Sequence, residues 1–242
     1  MARFYVELEL QPGFEYDLPD EVVRHLNVVR LKVGQQLILF NGDGCDYSAQ
    51  LLGLAKRNAR IVILATTLVT NEAQLDITLG ISVLASDKFD LVIHKAVELG
   101  VSRIMPVYSQ NTQRFNAAKL ETRLEHWRKI ILSASEQCGR AKLARVDAPV
   151  DFAQALDSSA AELKLILSPH HSSALKSTPP INSCAILIGP EGGFTQTEIV
   201  AATAAGFQSL LLGPRILRAE TAAFAALSYV HSLFGDFISN LS

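Results

Sequence analysis

Two short stretches in the last third of the chain hold residue types that chemistry can use. The first, Gly189-Pro190-Glu191-Gly192-Gly193-Phe194, follows the apolar run Ala185–Ile188 and leads into Thr195 and Glu198 at capping-box spacing, so a helix is expected from Gln196. Glycines at such a junction let a ligand approach the backbone, and α/β sheets bind ligands at the carboxyl ends of their strands. The second stretch, Gly213-Pro214-Arg215-Ile216-Leu217-Arg218-Ala219-Glu220-Thr221, repeats the plan after Leu210–Leu212: a strand, Gly-Pro, a loop with two arginines and an acid, then an alanine-rich helix. Neither stretch has the Lys-Ser/Thr of a P-loop or a Gly-x-Gly-x-x-Gly dinucleotide pattern, which speaks against a nucleotide hydrolase or a dinucleotide enzyme. Taken alone, a tight structural turn explains the glycines as well as a ligand loop does. Arg218 is either an ion-pair partner of Glu220 or a fixed cation for a reacting group.

Other candidates are weaker. His170 and His171 are adjacent and diverge on any regular backbone, and no cysteine or acidic cluster completes a set of ligands, so no metal is expected. Cys45, Cys138 and Cys184 are odd in number and far apart, which excludes a disulfide scaffold and fits a reducing cytoplasm.

The elements that must position these loops follow from the apolar period. Of 242 residues, 49% are hydrophobic and 19% charged, enough for a sizeable core and too apolar for disorder. No membrane span is expected, because the longest uncharged stretch, Ile199–Pro214, is broken by Gly206, Gln208 and Gly213. The alternation of acids after Met1–Tyr5 is not that of a signal peptide. From Phe4 to about Leu68 the pattern has period two, with runs at Leu37–Phe40, Tyr47–Leu51 and Ile61–Leu64, a hairpin signal at Asn41-Gly42-Asp43-Gly44, and one helix at Asp20–Val29. This predicts a small antiparallel sheet or barrel. From Asp76 strands alternate with helices: strands at Ile77–Leu84, Arg103–Val107, Leu163–Leu167, Ala185–Ile188 and Leu210–Leu212, a helix from Asp87 to Leu99 capped by Ser86 and ended by Gly100, a long helix from Ala117 to Cys138, and a last one from Glu220 to Phe234. That is an α/β domain with a largely parallel sheet, and the expected division is 1–72 and 73–242. The last helix carries Phe224, Leu227, Val230 and Phe234, a face that a second copy or an internal core could cover.

Net charge is −2, yet residues 86–145 hold 11 Lys and Arg against 6 Asp and Glu, a basic segment suited to a polyanion or to a solvated helix face.

The two Gly-Pro loops in this order, together with Lys95-Ala96-Val97-Glu98-Leu99-Gly100-Val101, the Trp127 helix ending in Glu136-Gln137-Cys138-Gly139-Arg140, and His25-Leu26-Asn27-Val28-Val29-Arg30, resemble the bacterial methyltransferases that modify N3 of a uridine in 16S ribosomal RNA, within the SPOUT class. The resemblance runs through nearly the whole chain. It implies an N-terminal PUA-like β-barrel, a C-terminal SPOUT domain with a trefoil knot, S-adenosylmethionine as cofactor, a homodimer, and ribosomal RNA or the small subunit as partner. Two departures stand out: Gln110–Arg114 replaces the more usual acidic-Arg-Ser run, and His170-His171 replaces a single His or Pro.

On that reading the cofactor lies among Leu167, Gly189, Pro190, Gly192, Gly193, Leu212, Gly213, Ile216, Leu217 and Thr221. Arg218 stabilises the imide anion left when N3 loses its proton, and Glu191 or Glu220 orients it or takes the proton. Arg3, Arg24, His25, Arg30, Lys32, Arg114 and Arg140 are expected to contact RNA.

Overall fold

At Asn41–Gly44 the chain reverses through Gly42 (φ 94°) and Gly44 (φ 98°), both in the left-handed region where a Cβ is strained. In the computed structural model, which describes residues 1–110, 112–168 and 180–237, this turn joins β3 (Gln36–Phe40) to β4 (Cys45–Leu54). β4 pairs antiparallel with β5 (Ala59–Leu68), and β5 with β2 (Glu15–Asp17). β1 (Arg3–Tyr5) lies parallel to β3, giving the order β1-β3-β4-β5-β2. The parallel pair departs from the all-antiparallel expectation, and the reason is connectivity: β2 and α1 (Asp20–Val28) intervene between β1 and β3, so the chain crosses over instead of turning back.

The period-two residues do what the alternation requires. Phe4, Leu37, Leu39, Tyr47, Ala49, Leu51, Ile61 and Ile63 face inward and meet Val22, Val23 and Leu26 of α1. Each fully buried leucine or isoleucine contributes about 1.5–3 kcal/mol against the cost of ordering the chain. Register shifts at Ser48/Ala49 and Leu51/Gly53 mark bulges in the long β4–β5 ladder.

A second sheet is parallel throughout. Its strands are β6 (Asp76–Ser82), β7 (Arg103–Tyr108), β8 (Arg145–Val146), β9 (Val150–Asp151), β10 (Leu163–Leu167), β11 (Ser183–Ile188) and β12 (Gln208–Leu210). The order is β12-β10-β11-β6-β7-β8, with β9 also on β7. Between them run α2 (Ser86–Glu98), α3 (Ala117–Cys138), α4 (Phe152–Asp157) and α5 (Gln196–Ala204), and α6 (Ala219–Phe234) follows β12. Phe152, Ala155, Ala202 and Phe207 pack with Met105, Val107, Ile166 and Leu187 of the sheet. α6 packs on α2 and β11 and buries Leu227 and Val230, so these two residues of its apolar face belong to the internal core.

Helix ends follow local chemistry, with one correction. Gly100 (φ 79°) closes α2 as a Schellman motif, its N–H donating to Val97 O while Val101 N–H donates to Ala96 O. Ser86 does not cap α2: the helix starts one residue earlier, with Ala85 at the N-cap and no side-chain cap, and the Ser86 hydroxyl accepts instead from Arg123.

By packing, the chain divides into Met1–Glu72 with Leu132–Leu143, and Ala73–Ile131 with Ala144–Ser242. Residues 132–143 therefore group with the first unit, which a single cut after residue 72 leaves out. Arg3 explains it: its guanidinium donates to the backbone oxygens of Ser135 and Arg140 while pairing with Asp46. Arg140 in turn pairs with Glu72 at 2.9 Å.

Candidate functional site

Because β10, β11 and β12 are neighbours and parallel, their carboxyl ends open on one edge of the second sheet. There Leu167 and Ser168, the loop Ile188–Gly193, the loop beginning at Leu210, and Ala219 and Ala222 of α6 enclose a pocket of about 300 Å³. Its lining is mostly apolar side chain and glycine-proline backbone, with Glu191 and Arg215 as its charged members.

The first loop is built by its glycines. A Cβ on Gly189 would sit 3.0 Å from the Phe194 nitrogen, so a side chain there would crowd the backbone of the turn. Gly193 (φ 72°) donates to Pro190 O, while a Cβ on Gly192 would meet nothing within 4 Å. Thr195 caps α5 as the spacing predicts, accepting from Glu198 N. Glu198 does more: its buried carboxylate accepts from Thr195 N and Gln110 N, both at 2.8 Å, and so ties the loop after β7 to the start of α5. The spacing shows the cap; the second partner, 88 residues away, leaves no mark in the sequence.

Of the residues expected around a cofactor, Leu167, Gly189, Pro190, Gly192, Gly193, Leu212, Ile216 and Leu217 line this one pocket. Gly213 and Thr221 do not line it, although both belong to the segment that does. Gly213 (φ 84°) makes the bend after Leu212, and Thr221 is exposed on the first turn of α6. The rest of the loop after Leu167, with His170 and His171, lies outside the described residues.

Of the charged candidates Glu191 lines the pocket, while Arg218 and Glu220, next in sequence to its lining residues Leu217 and Ala219, do not. Glu191 Oε1 lies 2.8 Å from Lys88 Nζ, and that hydrogen bond holds the Glu191 carboxyl below its ordinary value while raising the Lys88 ammonium above its own. The charges of Glu220 and Arg218 also act on Lys88, in opposite directions. Arg218 occupies the N-cap position of α6, is exposed, and makes no side-chain cap. Glu220 is half-buried, and among the described residues its buried Oε2 has no hydrogen-bond donor. Lys88 was not among the candidates; it sits 103 residues before Glu191 in a helix whose pattern reads only as amphipathic.

The first unit offers a separate basic surface. Arg24, His25, Arg30 and Lys32 are exposed along the end of α1 and the turn after it, beside exposed Val28, Val29 and Val33. Arg3 and Arg140 do not belong to it. Their side chains are 8% exposed and engaged with Asp46, Glu72 and backbone oxygens, so they hold the unit together and present no free fork to a phosphate. In the second unit Arg114 lies over the Tyr108 ring and pairs with Asp151.

A parallel α/β sheet with a pocket at its carboxyl edge is the build of a small-molecule-binding α/β domain. Residues 71–231 match the RNA methyltransferase domain model, and residues 18–64 match the RNA methyltransferase PUA domain model. Ribosomal RNA small subunit methyltransferase E of Buchnera aphidicola (Acyrthosiphon pisum symbiont) is 31% identical over 98% of this chain and 95% of its own length, and its namesake from Synechocystis is 35% identical over 85% and 69%. Among solved structures, ribosomal RNA small subunit methyltransferase E of Neisseria gonorrhoeae bound to S-adenosylmethionine superposes with a TM-score of 0.92 at 40% identity, covering 98% of this chain and 99% of that one. A Legionella pneumophila methyltransferase in complex with the same cofactor gives 0.93 at 36% identity over the same shares. The chain belongs to the RNA methyltransferase family, in the group of ribosomal RNA small subunit methyltransferase E.

Proposed function

We propose that the protein methylates N3 of a uridine in the 16S ribosomal RNA of the small subunit, using S-adenosylmethionine. The pocket at the ends of β10, β11 and β12 carries the reading. Its lining suits the flat adenine of the cofactor, with leucine and isoleucine walls for the ring and, at the glycine loop, backbone groups and open space at Gly192 for the polar amino-acid end. Leu167, Gly189–Gly193 and Leu212–Leu217 would hold the cofactor. When bound, it supplies a methyl group on a sulfonium, which passes to the N3 lone pair as the carbon–sulfur bond breaks and a thioether leaves.

The protein's own task is to position the base and manage one proton, since proximity and alignment supply most of the rate in such a transfer. N3–H must be lost before or during attack, and the resulting imide anion needs a cation nearby. Arg218, with its rigid fork of donors, serves that anion. Between the two carboxylates, Glu191 is committed to Lys88 and held ionised, whereas among the described residues the buried Oε2 of Glu220 has no donor; in this reading Glu220 takes the proton and Glu191 orients the cations.

Arg24, His25, Arg30, Lys32 and Arg114 bind the RNA, the first four on a PUA-like barrel formed by the five-stranded sheet. The resemblance supports a trefoil knot in the second unit and a homodimer acting in the cytoplasm. The dimer contact draws on apolar side chains left outside: Ile216 is 90% exposed, Leu233 48% and Tyr229 36%. Among the described residues no helix is long and apolar enough to cross a membrane, and no group of three His, Cys, Asp or Glu is gathered for a metal.

The test is direct. Undermethylated small subunits are incubated with the protein and S-adenosylmethionine, and the RNA is digested to nucleosides for mass spectrometry. N3-methyluridine should appear only when all three are present; its absence, or a methyl group on another base, overturns the proposal. Calorimetry with S-adenosylmethionine and ATP in parallel separates a methyltransferase from a nucleotide hydrolase, and light scattering at micromolar concentration reads the dimer.

A further inference from the structure

A second cavity, of about 380 Å³, opens on the same edge of the sheet, at the ends of β6 and β7. It shares Pro190 and Glu191 with the cofactor pocket, so the two hollows meet at the Glu191 wall. Its chemistry is different. Phe89, Phe115 and Trp127 supply aromatic surface, with Phe89 and Trp127 ring centroids 4.7 Å apart, and Lys119 and Arg123 supply positive charge. Among the described residues neither cation has a carboxylate partner; Lys119 stands over the Phe115 ring and Arg123 donates to the Ser86 hydroxyl. The N-terminus of α2, which among the described residues has no side-chain cap, brings its first backbone N–H groups to the same place, where Ala85 and Ser86 line the cavity.

The sharpest feature is Trp127. It is 1% exposed, it lines the cavity, and among the described residues its indole Nε1–H has no acceptor. A buried donor without a partner costs free energy, and the fold keeps one here beside a hollow large enough for a ligand. A planar ring bearing carbonyl oxygens, joined to an anionic group, answers all of these features together: the carbonyl accepts from the indole, the ring lies against aromatic surface, and the anion meets the cations.

We propose that this cavity is the subsite for the acceptor nucleotide: the pyrimidine ring of the uridylate enters it, Trp127 Nε1–H donates to a base carbonyl, and Arg123 and Lys119 hold the adjoining phosphate. The inference rests on the methyl-transfer reading for the identity of the nucleotide, and on the cavity alone for its chemical class. It also gives the shared Glu191 wall a purpose, since the reacting nitrogen must face the cofactor from this side. The donor from Trp127 strengthens as the ring becomes an imide anion, so it acts on the transition state more than on binding.

Three variants and one optical signal test this. Arg123→Gln, at a half-buried site, and Lys119→Gln, at an exposed one, should each raise KM for undermethylated small subunits about three- to tenfold while kcat, the cofactor Kd and the melting temperature stay unchanged. Trp127→Phe keeps a ring and removes the donor; kcat should fall tenfold or more with the cofactor Kd unchanged. Wild-type kinetics in all three, or a cofactor Kd that rises in step with lost turnover, would overturn the assignment. Trp127 is the chain's single tryptophan, so its fluorescence reports the cavity independently of turnover. Titration of the wild-type protein with oligouridylate should give a saturable change that the Arg123→Gln, Lys119→Gln double variant loses. If wild-type protein transfers no methyl group yet the fluorescence responds, the methylation reading fails and the subsite stands. No response in protein that does methylate RNA removes the subsite.

Discussion

Lys88 Nζ lies 2.8 Å from Glu191 Oε1, joining the first turn of α2 to the glycine loop after β11. The pair is exposed enough that its worth to stability is small. Its consequence is electrostatic. Glu191 sits below its ordinary 4.5, so its contribution to stability is present above that value and is lost as pH falls through the lower folded value. Lys88 sits above its ordinary 10.5, so its contribution holds below that value and is lost as pH rises through the higher folded one. At neutral pH the pair is intact and Glu191 is fully ionised. Lys88→Met should let the Glu191 carboxyl rise toward its ordinary range. Carbon-13 NMR titration of the Glu191 carboxyl should then show its midpoint moved to higher pH, and a midpoint that stays where it was would show that Lys88 does not govern Glu191.

The space at Gly192 makes a clean test of the cofactor pocket. Its backbone is not in the left-handed region and an added Cβ meets nothing within 4 Å, so a side chain there strains nothing in the protein. Gly192→Val should therefore melt within a few degrees of wild type. In the pocket the added methyls occupy ligand space, and calorimetry should show cofactor affinity reduced at least a hundredfold. Unchanged affinity in a folded Gly192→Val protein would move the cofactor elsewhere. Gly189→Ala is the contrast: with Phe194 N 3.0 Å from the new Cβ, it should lose stability and binding together.

Glu198 accepts from Thr195 N, Thr195 Oγ1 and Gln110 N while 9% exposed. Removing it takes the acceptor from these part-buried donors, and Glu198→Ala should cost about 1–3 kcal/mol by chemical denaturation. Glu198→Gln keeps one acceptor oxygen and should recover about half of that. An alanine variant as stable as wild type would mean that water satisfies these donors.

How much of this was legible in the sequence depended on range. The ends of α3 at Ala117 and Cys138, the Thr195 cap and the Gly100 terminus follow from local rules, because a helix end is decided within about five residues. The glycine loops were visible because glycine beside a buried strand is a local signal too. What was missed is long-range or marginal. Lys88 meets Glu191 only after β6 and β11 pair side by side. Arg3 and Arg140, exposed by type, are drawn inside by Asp46 and Glu72. β8, β9 and α4 are too short for a period to declare itself. Gly213 and Thr221 were placed by adjacency in sequence, but the bend at Gly213 and the turn of α6 carry them off the pocket wall.

Arg218 and Glu220 flank the start of α6, and their division of labour is measurable. Arg218→Ala should keep cofactor affinity and lose turnover by about 10²–10³, the usual cost of removing one donor to a developing anion. Arg218→Lys should recover only part, since an ammonium lacks the planar fork. Equal loss of cofactor binding and turnover would make Arg218 structural instead. Glu220→Gln should lower kcat at least tenfold with cofactor affinity unchanged, whereas Glu191→Gln should cost less; equal losses would remove the distinction between the two carboxylates.

Arg30 is the single described non-glycine residue with positive φ, at 56°, and it stands at the Schellman position closing α1: its N–H donates to Asn27 O, and Leu31 N–H donates to Leu26 O. Glycine is the residue this geometry favours, and an arginine there costs on the order of 1 kcal/mol in backbone strain. The side chain it presents is exposed between Val29 and Lys32, so stability and the proposed RNA contact pull in opposite directions at one residue. Arg30→Gly should therefore raise the melting temperature or leave it unchanged, and lower affinity for small-subunit RNA by several-fold. Because one phosphate contact is lost, the slope of log K against log salt should become shallower by about one. Arg30→Lys keeps the charge and the strain, so it should match wild type in stability and nearly in salt slope. If the glycine variant binds RNA with unchanged affinity and slope, Arg30 does not touch the nucleic acid. If it is markedly less stable, the side chain holds the turn.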